Sequence, residues 1–474
     1  MLFPLHVAGR SYEDGPLAKV RAPWDGSDLG DVVLADPERV DLAIDAAAKA
    51  FAQTRRTSSN LRRRALRFVA ETLTSDAQEI AKLLSDEAAK PIALARAEVA
   101  RAVATFELAA EEATRMGGEI VDLEGTAAGE GYRGSVRRVP SGPVLGISPF
   151  NFPLNLVAHK VAPALACGAS IVLKPPPQTP LSALRLAAIV RESGLPTDAL
   201  QVVPCAVSDA ERMVQDTRFS VLSFTGSDQV GWHLKSLAGK KRVLLELGGN
   251  AAAIVHDDAD LAFAAERVVF GAFGYAGQVC IKVQRLVVHD AVHDAFVADV
   301  VARAKALEIR APREAGIVSS MIDEANASRV DRWIDEACDA GAKVLTRGTR
   351  EGNRLGPTVL DFGVERPRGL HVLDDEIFGP VLTIQRYRDW SDALAIADAS
   401  RFGLQAGIFT DSASRIERAF DVLAVGGIVV GDVPTFRVDV MPYGGVRDSG
   451  LGREGVKYAM EEMTERKLLV HRVR

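Results

Sequence analysis

Cys280 closes the segment GYAGQVC, and Glu246 stands 34 positions before it at the end of the leucine-rich run RVLLE. A thiolate adds readily to a carbonyl carbon, and a carboxylate held near neutral pKa can draw a proton from water. Alone, a cysteine reads as a small buried hydrophobe. Here it lies at a Gly-spaced junction between a helix and the expected strand Arg285 to Val288, which suits covalent redox chemistry on a carbonyl. Such chemistry also needs a nucleotide seat. The segment Gly226-Ser-Asp-Gln-Val-Gly231 follows an expected strand ending at Phe224 and opens a helix, so its amides and Ser227 suit a diphosphate. The strict GxGxxG from Gly450 to Gly455 follows MPYGGVRDS rather than a hydrophobic strand and reads as a flexible loop.

The elements that must position these groups follow from periodicity. The first hundred or so residues read mainly helical, with Asp36 and Pro37 capping a run to Phe51 and amphipathic stretches from Leu61 to about Thr114. From Pro143 the pattern changes to short strands at Val144 to Ile147, Ser170 to Leu173, Leu200 to Val203, Phe219 to Phe224 and Val243 to Glu246, with a helix in every gap. One of those helices, Pro180 to Ser193, takes Thr179 as N-cap and Pro180 as its first position. Alternation of this kind implies a parallel sheet that binds ligands beyond the carboxyl ends of its strands. A second alternating block runs from about Ala251 to Pro434, with helices at Asp260 to Phe273 and Ala291 to Leu307. The connection from about Gly117 to Arg138 and the tail from Glu461 remain to pair as strands.

The 474-residue length implies more than one lobe, because a single core stops growing well below it. A formal net charge of −6 gives no global reason to hold a nucleic acid. The four cysteines form no CxxC pair or disulfide framework, which points to a reducing cytoplasm. The eight histidines show no HExxH spacing, so no metal is expected. The start lacks the build of a signal peptide and the longest apolar stretch is interrupted, so neither secretion nor a membrane partner is indicated.

From about Ala35 to Val470 the chain resembles the NAD(P)-dependent aldehyde dehydrogenases. The resemblance rests on SPFNFPLN (148–155), LKPPPQTP (173–180), FTGSDQVG (224–231), LELGGN (245–250), GQVC (277–280) and EIFGPV (376–381), all in family order. The tail MPYGGVRDSGLGREG is similar to the branch acting on lactaldehyde, glyceraldehyde 3-phosphate and phosphonoacetaldehyde. The resemblance implies an α/β fold with a Rossmann-like cofactor domain (1–118 and 139–248), an α/β catalytic domain (249–447), and a small β oligomerisation arm with the tail (119–138 and 448–474). It implies Cys280 as nucleophile, Glu246 as general base and Asn151 as oxyanion donor. For NADP or NAD it implies Lys174 on the adenosine ribose, Ser227 with Gly226 and Gly231 on the diphosphate, and Glu376 with Phe378 at the nicotinamide end. Ser148, Pro149, Phe150, Pro177 and Leu247 complete the expected cleft.

The chemistry makes sense of these residue types. An aldehyde has no leaving group, so a thiol must first add to give a thiohemiacetal from which hydride departs, and water must then open the thioester. In a CoA-acylating variant the thiol of CoA would resolve that thioester, and Glu246 speaks against it; intact Cys280, Glu246 and Asn151 speak against a catalytically silent scaffold. A small polar or anionic aldehyde is expected, because Arg101 and Arg437 match positions where relatives of the phosphorylated-aldehyde branch hold an anionic group. Val279 and Phe152 depart from that pattern, and both arginines can instead make structural ion pairs. Pro177 stands where NAD-preferring relatives carry a Glu that repels a 2′-phosphate, so NADP is expected to be accepted and preferred. The chain is expected to form a homodimer or homotetramer.

Overall fold

The structure is a computed structural model that describes every residue except Arg366, Arg368 and Arg474. The last of these ends the expected tail and lies outside the described residues. The stretch expected to be mainly helical opens instead with short strands over residues 2–33: Asp28–Val33 pairs antiparallel with Leu17–Arg21 and parallel with Leu2–Phe3. Val20 and Val32 bury against Leu181, and short alternating segments of this kind become regular only through that pairing.

Four helices follow, α1 (Pro37–Thr54), α2 (Ser59–Ser75), α3 (Ala77–Ala88) and α4 (Ile92–Glu112). Asp36 caps α1 by accepting from the Arg39 amide. Ala65, Leu66 and Val69 of α2 pack with Val99, Ala102 and Phe106 of α4 in one core.

The first βα block contains β1 (Val144–Ile147), α5 (Asn155–Cys167), β2 (Ile171–Lys174), α6 (Leu181–Glu192), β3 (Leu200–Val202), β4 (Val221–Thr225), α7 (Asp228–Leu237) and β5 (Arg242–Glu246). Its strands lie in the order β3-β2-β1-β4-β5 and are parallel. Chain direction across the sheet reverses between β1 and β4, and such a switch point opens a crevice at the strand ends. Every residue of α5 is buried, which explains a helix that is mostly apolar around its circumference, with Asn155, His159 and Lys160 as its buried polar residues.

The second block begins with β6 (Ala252–Val255), α8 (Leu261–Phe273) and β7 (Arg285–His289), followed by α9 (His293–Lys305) and α10 (Glu324–Asp339). Its sheet is completed by β8 (Lys343–Thr346), β9 (Thr358–Asp361), β10 (Val381–Tyr387), β11 (Gln405–Phe409) and β12 (Gly427–Val430), in the order β8-β9-β10-β7-β6-β11-β12. Only β8 among them runs antiparallel to its neighbour.

The Gly450–Gly455 segment is not the flexible loop expected of it. Its first two residues form β13 (Gly450–Leu451), antiparallel to β5, with Gly450 opposite Glu246. A carbonyl edge at β5 takes up the backbone groups of the segment, which explains the order. A separate three-stranded sheet joins Thr464–Arg472, Tyr132–Pro140 and Gly118–Val121, all antiparallel, and most of the tail strand is exposed. No helix among the described residues is long and apolar enough to cross a membrane.

Candidate active site

At the carboxyl ends of β1, β4 and β5 a cleft of about 730 Å³ opens toward the second block. Ser148, Pro149, Phe150, Asn151, Lys174, Pro177, Gly226, Ser227, Glu246, Leu247, Cys280, Glu376 and Phe378 all line it. Of the other expected residues, Gly231 lies behind the wall, where an added Cβ would come within 2.3 Å of Leu247. Arg101 and Arg437 are not part of the lining.

Three helices begin at this edge of the sheet, and each N-terminus is a potential anion seat. Two are filled by carboxylates from the protein itself. Glu98 accepts from the amides of Leu154 and Asn155 at 3.0 and 3.1 Å at the head of α5. Glu87 accepts from Leu181 and Ser182 at 2.8 and 3.1 Å at the head of α6. The α6 start therefore differs from the expected one: the helix begins at Leu181, and Thr179 does not cap it because Glu87 does. Only α7 is left open, since Ser227 occupies its N-cap position without a side-chain capping bond. A diphosphate entering the cleft meets one free helix pole, at Gly226 and Ser227.

The neighbouring wall is positively charged. Lys174 is 7% exposed and forms no ion pair among the described residues, and burial pulls its pKa below the ordinary lysine range. The nearby Cys205 thiol, pushed up to about 12 by burial, leaves that cation uncompensated at neutral pH. Pro177 adds no side-chain acceptor to this wall. The Ser148 hydroxyl is buried without a partner. An orphan hydroxyl, an unpaired ammonium and an open helix terminus on one cleft wall fit a nicotinamide dinucleotide.

At the other end Glu376 accepts from the Gly249 amide at 3.0 Å, and burial raises its pKa to about 7. An added Cβ on Gly248 would lie 2.5 Å from the Glu376 carboxyl, so this approach requires glycine. Phe378, left-handed at φ 46°, presents its ring edge-on to Phe150 at 5.8 Å.

Cys280 is partly exposed at the cleft floor, and its Sγ lies 3.3 Å from the Tyr443 hydroxyl. Burial pushes the thiol up to about 12, against the pull of that hydroxyl and of Arg437. The Asn151 side-chain amide donates to the Gln278 carbonyl at 3.0 Å, which brings the β1 loop to the segment carrying Cys280. Glu246 is 5% exposed, and its Oε2 has no hydrogen-bond partner. Burial first, and then the negative charge of Glu454, raise its pKa well above the carboxylate range.

Lys160, Tyr443, Glu454, Asp439 and His159, which sequence reasoning left out as site residues, surround this centre together with the two expected arginines. Lys160, fully buried on α5, donates to Ser223, Thr225 and Glu454 at 3.1, 2.6 and 3.3 Å. Arg437 donates to Glu454 at 3.0 Å and its guanidinium lies 3.6 Å over the Tyr443 ring, while its Nε is buried without a partner. Arg101 pairs with Asp439 at 2.7 Å, and His159 contacts the same carboxylate at 2.7 Å. Both arginines thus engage carboxylates, the structural alternative weighed for them from sequence. Tyr443 and Glu454 fall within the tail motif and Gln278 within GQVC, whereas nothing local marks Lys160.

A family model described as "Aldehyde dehydrogenase family" matches residues 11–469. A 3-sulfolactaldehyde dehydrogenase from Priestia aryabhattai is 38% identical over 470 residues, 99% of this chain and 98% of the relative. The crystal structure of aldehyde dehydrogenase 21 from Physcomitrella patens, in complex with the reaction product succinate, superposes with a TM-score of 0.97 at 41% identity, covering 99% of this chain and 98% of that one. An NADP-dependent glyceraldehyde-3-phosphate dehydrogenase from Bacillus halodurans, complexed with NADP, gives a TM-score of 0.96 at 33% identity with full coverage of both chains.

Proposed function

The chain belongs to the aldehyde dehydrogenase family and is an NAD(P)-dependent enzyme, and from that premise we propose how its residues oxidise a small anionic aldehyde to the carboxylate. The reading is carried by one observation: Cys280, Asn151 and Glu246 share a cleft whose far wall holds Lys174 and the open terminus of α7. Lys174, Ser148, Ser227, Glu376 and Phe378 would hold the dinucleotide, which supplies a hydride acceptor at its nicotinamide C4.

Cys280 gives its proton to water in the cleft as sulfur bonds to the aldehyde carbon. The charge that develops on the aldehyde oxygen is met by the Asn151 amide, which keeps one N–H beyond the one given to Gln278, and by the Cys280 backbone N–H. After the aldehyde hydrogen has left with its electron pair, Cys280 carries a thioester. Glu246 takes a proton from water as the water oxygen bonds to the acyl carbon. The carbon–sulfur bond then breaks, the carboxylate leaves and Cys280 is free again. A raised Glu246 pKa suits this step, because a carboxylate pushed above its ordinary range by burial and by Glu454 is a stronger base toward water.

The preference for an anionic aldehyde is supported by Arg437, a buried guanidinium with an unpartnered Nε beside Tyr443, which itself touches Cys280. Relatives named for 3-sulfolactaldehyde, and one solved with succinate, also handle a second anionic group. Arg101 is the second proposed anchor. The unpaired Lys174 and the Pro177 wall support preference for NADP with NAD as a usable second cofactor. The exposed tail strand supports assembly with further copies of this chain, and the free cysteines support a cytoplasmic setting.

The test mixes purified protein with NADP+ or NAD+ and matched neutral and anionic aldehydes, with and without CoA, and follows reduced-nicotinamide absorbance. Turnover independent of CoA, with higher kcat/KM for anionic aldehydes, is expected. Arg437→Ala should erase that preference by raising KM for the anionic series alone. An unchanged preference removes Arg437 from substrate binding.

A further inference from the structure

The segment that delivers Cys280 contains three consecutive left-handed residues: Tyr275 (φ 54°, ψ 39°), Ala276 (φ 52°, ψ 30°) and Gly277 (φ 67°). Glycine is required at the third, where an added Cβ would lie 2.2 Å from the Gly379 carbonyl. At the first two a Cβ opposes the conformation, so the surroundings must impose it.

Tyr275 is where they do so. It is 1% exposed and far too deep to meet a substrate. Its amide donates to the Ile317 carbonyl at 2.7 Å and its hydroxyl to the Ala88 carbonyl, at the end of α3, at 2.9 Å. Lys90 Nζ lies 4.7 Å from its ring centroid and 3.7 Å from that of Phe152, and Lys90 is fixed by a buried ion pair with Glu98. The Tyr275 and Phe152 rings meet edge to face at 6.4 Å. Phe152 follows Asn151 in the chain. On the other side the Gln278 side chain donates to the Tyr275 carbonyl at 3.3 Å and accepts from Ile322, while its backbone carbonyl takes the Asn151 amide. Two routes thus connect Tyr275 to Asn151, and the second passes two residues from Cys280.

We propose that Tyr275 is a positioning residue, whose hydroxyl on Ala88 and ring beside Phe152 and Lys90 hold the left-handed turn that sets the Cys280 sulfur against the Asn151 amide. This rests on Cys280 as nucleophile and Asn151 as oxyanion donor. A turn needed only for its shape would be as well served by glycine, whereas Tyr and Ala leave it with fewer alternatives.

Two variants outside the cleft test it. Tyr275→Phe keeps the ring and deletes the hydroxyl bond; Ala276→Gly keeps every Tyr275 contact and relaxes the backbone. In stopped-flow measurement at saturating NADP+ the first hydride transfer should slow about tenfold in Tyr275→Phe, one hydrogen bond's worth of orientation, and about threefold in Ala276→Gly, the effect of the added backbone freedom. Cofactor KM should stay within about twofold, the melting temperature of Ala276→Gly should not fall, and Cys280 alkylation by iodoacetamide should change rate in both. Parent-like hydride transfer in Ala276→Gly overturns the proposal even if Tyr275→Phe is slow, because loss of stability alone then explains the latter. Cys280→Ser separates the two levels: if it still oxidises aldehydes, the nucleophile assignment itself has failed.

Discussion

Asn151 donates its side-chain amide to the backbone carbonyl of Gln278 across the junction of the two βα blocks. The bond orients the amide before substrate arrives, and leaves its second N–H as the proposed donor to the aldehyde oxygen. Asn151→Ala should therefore lower the hydride-transfer rate by roughly 100-fold or more, the loss typical of one oxyanion donor. Stopped-flow absorbance measures it, and a loss confined to KM would show that Asn151 only binds substrate.

Glu246→Gln should leave a burst of one reduced nicotinamide per active site followed by very slow turnover. The pH dependence divides in the same way. A base must be ionised, so steady-state turnover should be low in acid and rise as pH passes the raised pKa of Glu246, and that rise should vanish in Glu246→Gln. The burst rate should keep climbing with pH in both proteins, because a thiol raised to about 12 gains thiolate throughout the accessible range. Loss of the burst in Glu246→Gln would place the carboxylate in the first step.

Pro177→Glu should shift kcat/KM toward NAD+, since a carboxylate on this wall accepts from ribose hydroxyls, repels a 2′-phosphate and compensates Lys174. Parallel kinetics with the two cofactors decide it. A parent protein that already discriminates strongly against NADP+ would move the determinant elsewhere.

Removing the last ten residues should leave Tyr132–Pro140 without its antiparallel partner and turn this long central strand into an exposed edge. Light scattering should then report monomers or aggregates. The parent oligomer persisting in the truncated chain would take the arm out of the assembly.

Much of this architecture could be read from local pattern. Val144–Ile147 falls where the β-branched run between Pro143 and Ser148 places it, and the strand at Ile171–Lys174 is displaced by one residue. Strand ends followed by Gly or Pro also announce the cleft, which is why so many expected residues line it. What escaped depends on contacts distant in sequence. Glu87 caps α6 from 94 positions away. Lys160 sits beside His159 in a mostly apolar helix and finds Glu454 294 positions later. Gln278 matters through its backbone carbonyl, which no side-chain pattern encodes.

Gly450 and Leu451 lie against β5, beside Glu246, although more than two hundred residues separate them in the chain. Synthesis runs from the amino end, so a growing polypeptide presents Cys280 long before Tyr443 exists to meet it, and Lys160 long before Glu454 exists to pair with it. The first sheet keeps an open edge for all that time, and contacts of such sequence separation form late. A nascent or truncated chain therefore carries a thiol without the surroundings that make it an enzyme, and competence arrives only with the final thirty or so residues, a gate built into the order of translation.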